Sequence, residues 1–162
     1  MLTNTGRHRQ VMAPGKYTEL FFLDEATALA AGHRPCATCR RSRYEDFKTH
    51  WVSANPNLPA AQSGDIQKID RHIHGERVDK QRQKRYWRAR WDQLPDGTMV
   101  VEPGGRDALL RWRSKAFVWS AGGYGGPRDI VDSAEVDVLT PHSVVKAIGH
   151  GYVVSVHSSL SG

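Results

Sequence analysis

Two cysteines, Cys36 and Cys39, lie in the stretch "AAGHRPCATCRR" and are the only ones in the chain. A Cys-x-x-Cys pair has two principal uses in a reducing compartment: ligation of a metal and thiol–disulfide exchange. A redox pair normally opens a helix directly after a strand in a thioredoxin-like unit. Here an Ala-rich segment and a Gly-x-x-Pro turn, Gly32 to Pro35, come first. Zinc ligation is therefore the better reading, with plain thiols as the bland alternative. A tetrahedral Zn2+ site then needs two ligands besides the pair.

The surroundings of the pair are more specific than the pair itself. "FFLDEATALAAGHRPCATC", residues 21–39, resembles the second half of the zinc-binding module of the Ada DNA-repair methyltransferase. The shared pattern is an aromatic strand, a short Ala-rich helix, then Ala-Gly-x-Arg-Pro-Cys-x-x-Cys. The same module recurs as a small zinc knuckle in other bacterial proteins, some of them nuclease-related. The resemblance implies two further ligands upstream. No upstream cysteine exists, and His8, 28 positions before Cys36, is where the nearer one would fall. In the Ada module an upstream zinc-bound cysteine accepts a methyl group from a DNA phosphotriester. No residue here matches that cysteine, so this repair chemistry is not expected.

A fourth ligand must come from elsewhere. In "IDRHIHGER" His72 and His74 flank Ile73, and His74 begins a His-x-Glu with Glu76. The expected ligand set is Cys36, Cys39, His8 and His74, with His33 as a substitute. Taken singly, any of these histidines is as well read as a surface or helix-end residue. His50, His142, His150 and His157 sit in no recognisable motif. His74, Glu76 and the cysteine pair also raise a catalytic alternative. Zinc deaminases combine His/Cys-x-Glu with Pro-Cys-x-x-Cys, and Glu76 would be the general base toward metal-bound water. In those enzymes, however, the His-x-Glu precedes the cysteines and the pair follows a strand.

The third chemical feature is charge. "RVDKQRQKRYWRARW", residues 77–91, holds seven basic residues and one acidic. Arg82, Lys84, Arg85, Arg88 and Arg90 could neutralise phosphates while Tyr86, Trp87 and Trp91 stack on bases. Arg40, Arg41 and Arg43 follow the cysteine pair. The competing reading makes the tryptophans core and the arginines a solvated face.

These residues need a scaffold. Residues 17–23 read as a strand. Asp24 caps a short helix, Glu25 to Ala31. Tyr44, Phe47 and Trp51 make one face of a second helix, and Ile66, Ile69 and Ile73 one stripe of a third, which runs on or restarts through Trp91. Residues 54–64 read as a loop. After "LPDG", residues 94–97, come the β-type segments "TMVV", "ALLRW" and "KAFVWS". Residues 120–127 read as a glycine-rich break, and the rest as strand, helix and strand, with Thr140 as N-cap and Pro141 at the first helical position. The expected fold is α+β: a helical N-terminal two-thirds carrying the zinc knuckle, residues 1–93, and a small β-rich C-terminal part, residues 94–162, packed on it as one unit.

At 162 residues, 39% hydrophobic, the chain suits one globular domain. No apolar run is long enough for a membrane span. "MLTNTGRHRQ" lacks the apolar core of a secretory signal, so a cytoplasmic location is expected. The formal charge of +6 favours an anionic partner, nucleic acid above all. Three functions follow in order: a DNA-binding protein with structural zinc, a zinc-dependent hydrolase or deaminase-like enzyme, and a protein-interaction module.

Overall fold

Residues 22–160 are described here, from a computed structural model. The chain begins with a helical layer. Helix α1, Glu25–Ala30, is closed by a capping box in which Asp24 accepts from the amide of Thr27 at 2.9 Å and Thr27 bonds back to the amide of Asp24 at 3.1 Å. Helix α2 spans Arg41–Ala54 and buries Phe47 and Trp51. The expected loop at 54–64 contains a short helix, α3, Pro59–Ser63, opened by its proline and ended by Gly64 at φ +62°. Helix α4, Ile66–Arg77, is capped by Asp65 and turns Ile69 and Ile73 inward.

The chain then turns to sheet. Strands β1 (Trp87–Arg90), β2 (Met99–Val101), β3 (Leu109–Trp112), β4 (Lys115–Ser120), β5 (Gly123–Arg128) and β6 (Glu135–Val138) form one antiparallel sheet in the order β1-β6-β2-β3-β4-β5. Helix α5, His142–Gly149, follows. Its Val144, Ala147 and Ile148 join α1, α2, α4 and one face of the sheet in the larger core. Val145 joins Trp91, Val100, Leu109, Val136 and Val138 in a second core. Residues 1–93 and 94–162 thus share the sheet, because β1 pairs with β6. No helix among the described residues is long and apolar enough to cross a membrane.

The helical N-terminal two-thirds with a small β-rich remainder is thereby corrected. Among the described residues the helices are five and short, the N-terminal run of helices stops at Arg77, and a six-stranded sheet with the single helix α5 makes up most of the chain beyond it. The reason lies in the basic segment. Trp87 and Trp91 share a face at period 3.6, but four residues is also an even spacing, and "WRAR" alternates half-buried with exposed positions as a strand does. Val78, β-branched, already adopts extended backbone at φ −138°, and it pairs with Lys84 across a hairpin loop. The glycine-rich break is likewise strand β5. It lies at a sheet edge, where Pro127 needs to give no ladder bond on its outer side. The expected final strand is not one; residues 152–157 run as irregular chain.

That last segment is tied to α1 by two adjacent carboxylates. Asp24 accepts from Tyr124 Oη at 2.9 Å and from the amide of His157 at 3.0 Å. Glu25, its side chain 2% exposed, accepts from Tyr152 Oη at 2.7 Å, from the amide of Ser155 at 2.8 Å and from Arg43. Burial, then Asp24, pushes the Tyr124 hydroxyl well above its ordinary pKa. Burial, then the bond to Glu25, does the same to Tyr152. Both phenols are neutral and donate to the carboxylates.

Candidate functional site

The cysteine pair sits in a turn braced from three sides. Gly32, at φ +84°, reverses the chain after α1. Arg34 clamps Asp70 of α4 with two bonds of 2.7 and 2.8 Å and lies over the Tyr44 ring. Pro35 is buried, while Cys36 and Cys39 are exposed and form no disulfide. The amide of Thr38 donates to Cys36 Sγ at 3.4 Å. Amide donation, from Cys39 first and Thr38 after it, holds the Cys36 thiol below its ordinary pKa against the opposing effect of burial. Amides aimed at sulfur suit a thiolate, the form that ligates metal.

The other expected ligands are not assembled with the pair. Among the described residues no group of three or more His, Cys, Asp or Glu side chains stands ready to hold a metal ion. His74 lies one turn beyond Asp70 on α4 and within electrostatic reach of His33, whose ring packs on Phe22 at 5.2 Å. It does not close a three-member site with the cysteines. His8 falls outside the described residues. Within these residues the donors present amount to half of a tetrahedral zinc site.

Glu76 has a different occupation from the expected one. Its two carboxylate oxygens accept from the amide of Ser143 at 3.1 and 3.2 Å, and Oε2 accepts from Ser143 Oγ at 2.6 Å. Trp51 Nε1 donates to the same hydroxyl at 3.0 Å. A carboxylate from α4 therefore caps α5, where the helix dipole favours negative charge. The N-cap expected of Thr140 is corrected too: Pro141 holds that position, and Thr140 Oγ1 accepts from the amide of Met99 at 2.9 Å. Among the described residues Glu76 belongs to no group of three or more potential metal ligands.

The arginines divide into engaged and available. Arg43 turns inward to Glu25, Tyr152 and the carbonyl of Val153, which removes it from any phosphate-binding set. Arg41 pairs with Glu45, Arg88 with Asp137 and Arg90 with Asp92. Arg85 donates to the carbonyl of Gly75 at 3.1 Å. Lys80, Arg82 and Lys84 are exposed and have no carboxylate partner among the described residues. The one acid nearby, Asp79, is turned onto the hairpin's own amides, accepting from Gln81 at 2.9 Å and Gln83 at 2.8 Å. Arg82 holds the loop at φ +61°, the left-handed region that non-glycine residues seldom adopt.

Beside this hairpin an open cleft of about 660 Å³ lies between the last turns of α4, the start of α5 and the lead into β1. Arg71, Arg85, His72 and Glu76 line it, with His72 Nε2 3.5 Å from Glu76 Oε1. Tyr86, 60% exposed, and the half-buried Trp87 complete it. Trp87 is fixed by its Nε1 bond to the carbonyl of Thr140 at 3.0 Å. The His142 ring meets it edge-on at 4.5 Å. Burial, with Lys146 adding and Glu76 opposing, lowers the His142 pKa, so the imidazole is neutral at pH 7. The sequence points to Tyr86, Trp87 and Arg85 and offers His72 only beside His74, while Arg71 and His142 carry no motif; their meeting across α4, α5 and β1 is what brings them together.

Comparison with known protein families, with characterised proteins and with solved structures finds no match to this chain.

Proposed function

We propose that this protein binds nucleic acid, DNA in the first instance, through the 77–86 hairpin and the adjoining cleft. Structural zinc on Cys36 and Cys39 would steady the Ada-like turn that braces α4. The observation that carries the reading is the hairpin's charge. Lys80, Arg82 and Lys84 are exposed and unpaired among the described residues, beside an exposed tyrosine. Three cations within five residues of one exposed hairpin, none of them neutralised by a carboxylate among the described residues, offer phosphate its complement. Asp79, the one acid of the segment, bonds to the hairpin's own amides and forms no ion pair with these cations. We place this activity in the cytoplasm, where a Cys-x-x-Cys pair stays reduced and able to ligate metal. When bound, zinc would lock the turn and leave nucleic-acid contact to the arginines and lysines. The test is a DNA titration at several salt concentrations. Binding that weakens steeply with salt supports the reading; no binding at low salt overturns it.

A further inference from the structure

We propose that the cleft between α4, α5 and β1 seats one unstacked base of a single-stranded nucleic acid, so that the protein prefers single strands to duplex. The inference rests on the nucleic-acid reading of this face and makes it specific.

Size comes first. A cavity of about 660 Å³ falls in the range of roughly 300–1,000 Å³ typical of small-ligand sites, which leaves room for a single base. Its lining combines cations, a carboxylate and rings. Arg71 and Arg85 line it, and Arg82 and Lys84 of the same hairpin add exposed charge for a phosphate chain. Glu76 lines it too, its carboxylate already serving Ser143 and facing His72. A carboxylate there disfavours phosphate and tolerates a neutral base with amino or imino hydrogens. The rings are Tyr86, largely exposed, and Trp87 with His142. Trp87 cannot swing away, because its Nε1 is held by the carbonyl of Thr140. A ring fixed beforehand loses little freedom when a base stacks on it. Bases in duplex are already paired and stacked, so they reach such a cleft only by flipping out, whereas a single strand offers them freely.

The test compares a short oligodeoxythymidylate with a duplex of equal phosphate number by fluorescence anisotropy, on the full chain and on Tyr86→Ala. Tyr86 is exposed enough for its truncation to leave folding intact, and far-ultraviolet circular dichroism checks this. Expected are a single-strand preference of about tenfold or more and a loss of about tenfold for Tyr86→Ala on the single strand alone, with an unchanged salt slope. A second variant, His142→Ala, should weaken single-strand binding in the same selective way. Equal affinity for both forms, or a Tyr86→Ala protein that binds the single strand as wild type does, overturns the cleft inference and leaves the charged hairpin standing. Failure of wild type to bind either form overturns the nucleic-acid reading as well.

Discussion

Single side chains show how far residue type alone can mislead about role. Glu76 stands in a His-x-Glu pattern, yet its partner is Ser143, 67 positions away. Arg43 stands among the basic residues after the cysteines, yet it turns to Tyr152, 109 positions away. Neither partner is inferable from spacing, because both contacts exist only once α5 and the C-terminal segment have docked. The cysteine pair was legible because both of its members and its Gly-x-x-Pro turn are local. Arg82 offers a clean separation of charge from fold. At φ +61° an asparagine is at least as comfortable as arginine, so Arg82→Asn should leave stability unchanged or raise it by up to about 1 kcal/mol, read by denaturant titration. The same variant should weaken DNA binding uniformly across sequences and lower the salt slope by about one. His142 gives a pH signature. Its folded pKa is depressed, so the unfolded chain holds more protons once pH falls below its ordinary value near 6.5. Its contribution to stability is therefore constant above that pH and falls as pH drops toward the depressed value. His142→Asn should flatten this part of the stability–pH curve, and an imidazole titration followed by NMR should find the midpoint below 6.5.

Elements explain which parts of the fold were readable. Helices α2 and α4 carry Phe47, Trp51, Ile69 and Ile73 at helical spacing and bury those residues. Strands β2, β3 and β4 stand where the apolar runs placed them. The failures are periodic ambiguities and long-range caps. "WRARW" satisfies period 2 and the i, i+4 relation together, and the β-branched Val78 with the Asp79 loop decides for the strand. Strand β5 hides behind four glycines and a proline in residues 122–127, which an edge position tolerates. Helix α5 takes its cap from α4 instead of its own chain neighbours. Replacing Glu76 by Gln keeps the shape but removes the charge beside the helix N-terminus. The expected cost is about 1 kcal/mol, with Tm lowered by a few degrees and the rest of the fold retained. A cost indistinguishable from zero would mean that Ser143 finds its partner elsewhere.

For the whole molecule, the joint between the helical layer and the far end of the chain matters most. Asp24 and Glu25 at the head of α1 gather Tyr124, Tyr152, Ser155 and His157, and Arg43 closes the cluster from α2. Glu25 is almost wholly buried, so Glu25→Ala leaves the half-buried Arg43 guanidinium with only the longer 3.4 Å contact to Asp46 as an ion pair and strips Tyr152 and Ser155 of their acceptor. A loss of about 3–5 kcal/mol is expected in denaturant unfolding, enough to unfold a marginal domain. The cysteine turn braces α4 through Arg34 and Asp70, and the hairpin and cleft extend from the end of that helix. If zinc steadies the turn, wild type retains the metal on gel filtration, Cys36→Ser loses it, and the variant still binds DNA but melts earlier. The most direct measurement of the whole reading is DNA affinity against salt for wild type and for variants with Lys80, Arg82 and Lys84 changed to glutamine. Log K should fall linearly with log salt, and the slope should shrink by about one for each cation removed, with little change for the paired Arg88. Absence of binding at low salt, or a slope indifferent to all three substitutions, would contradict the assignment of this face to nucleic acid.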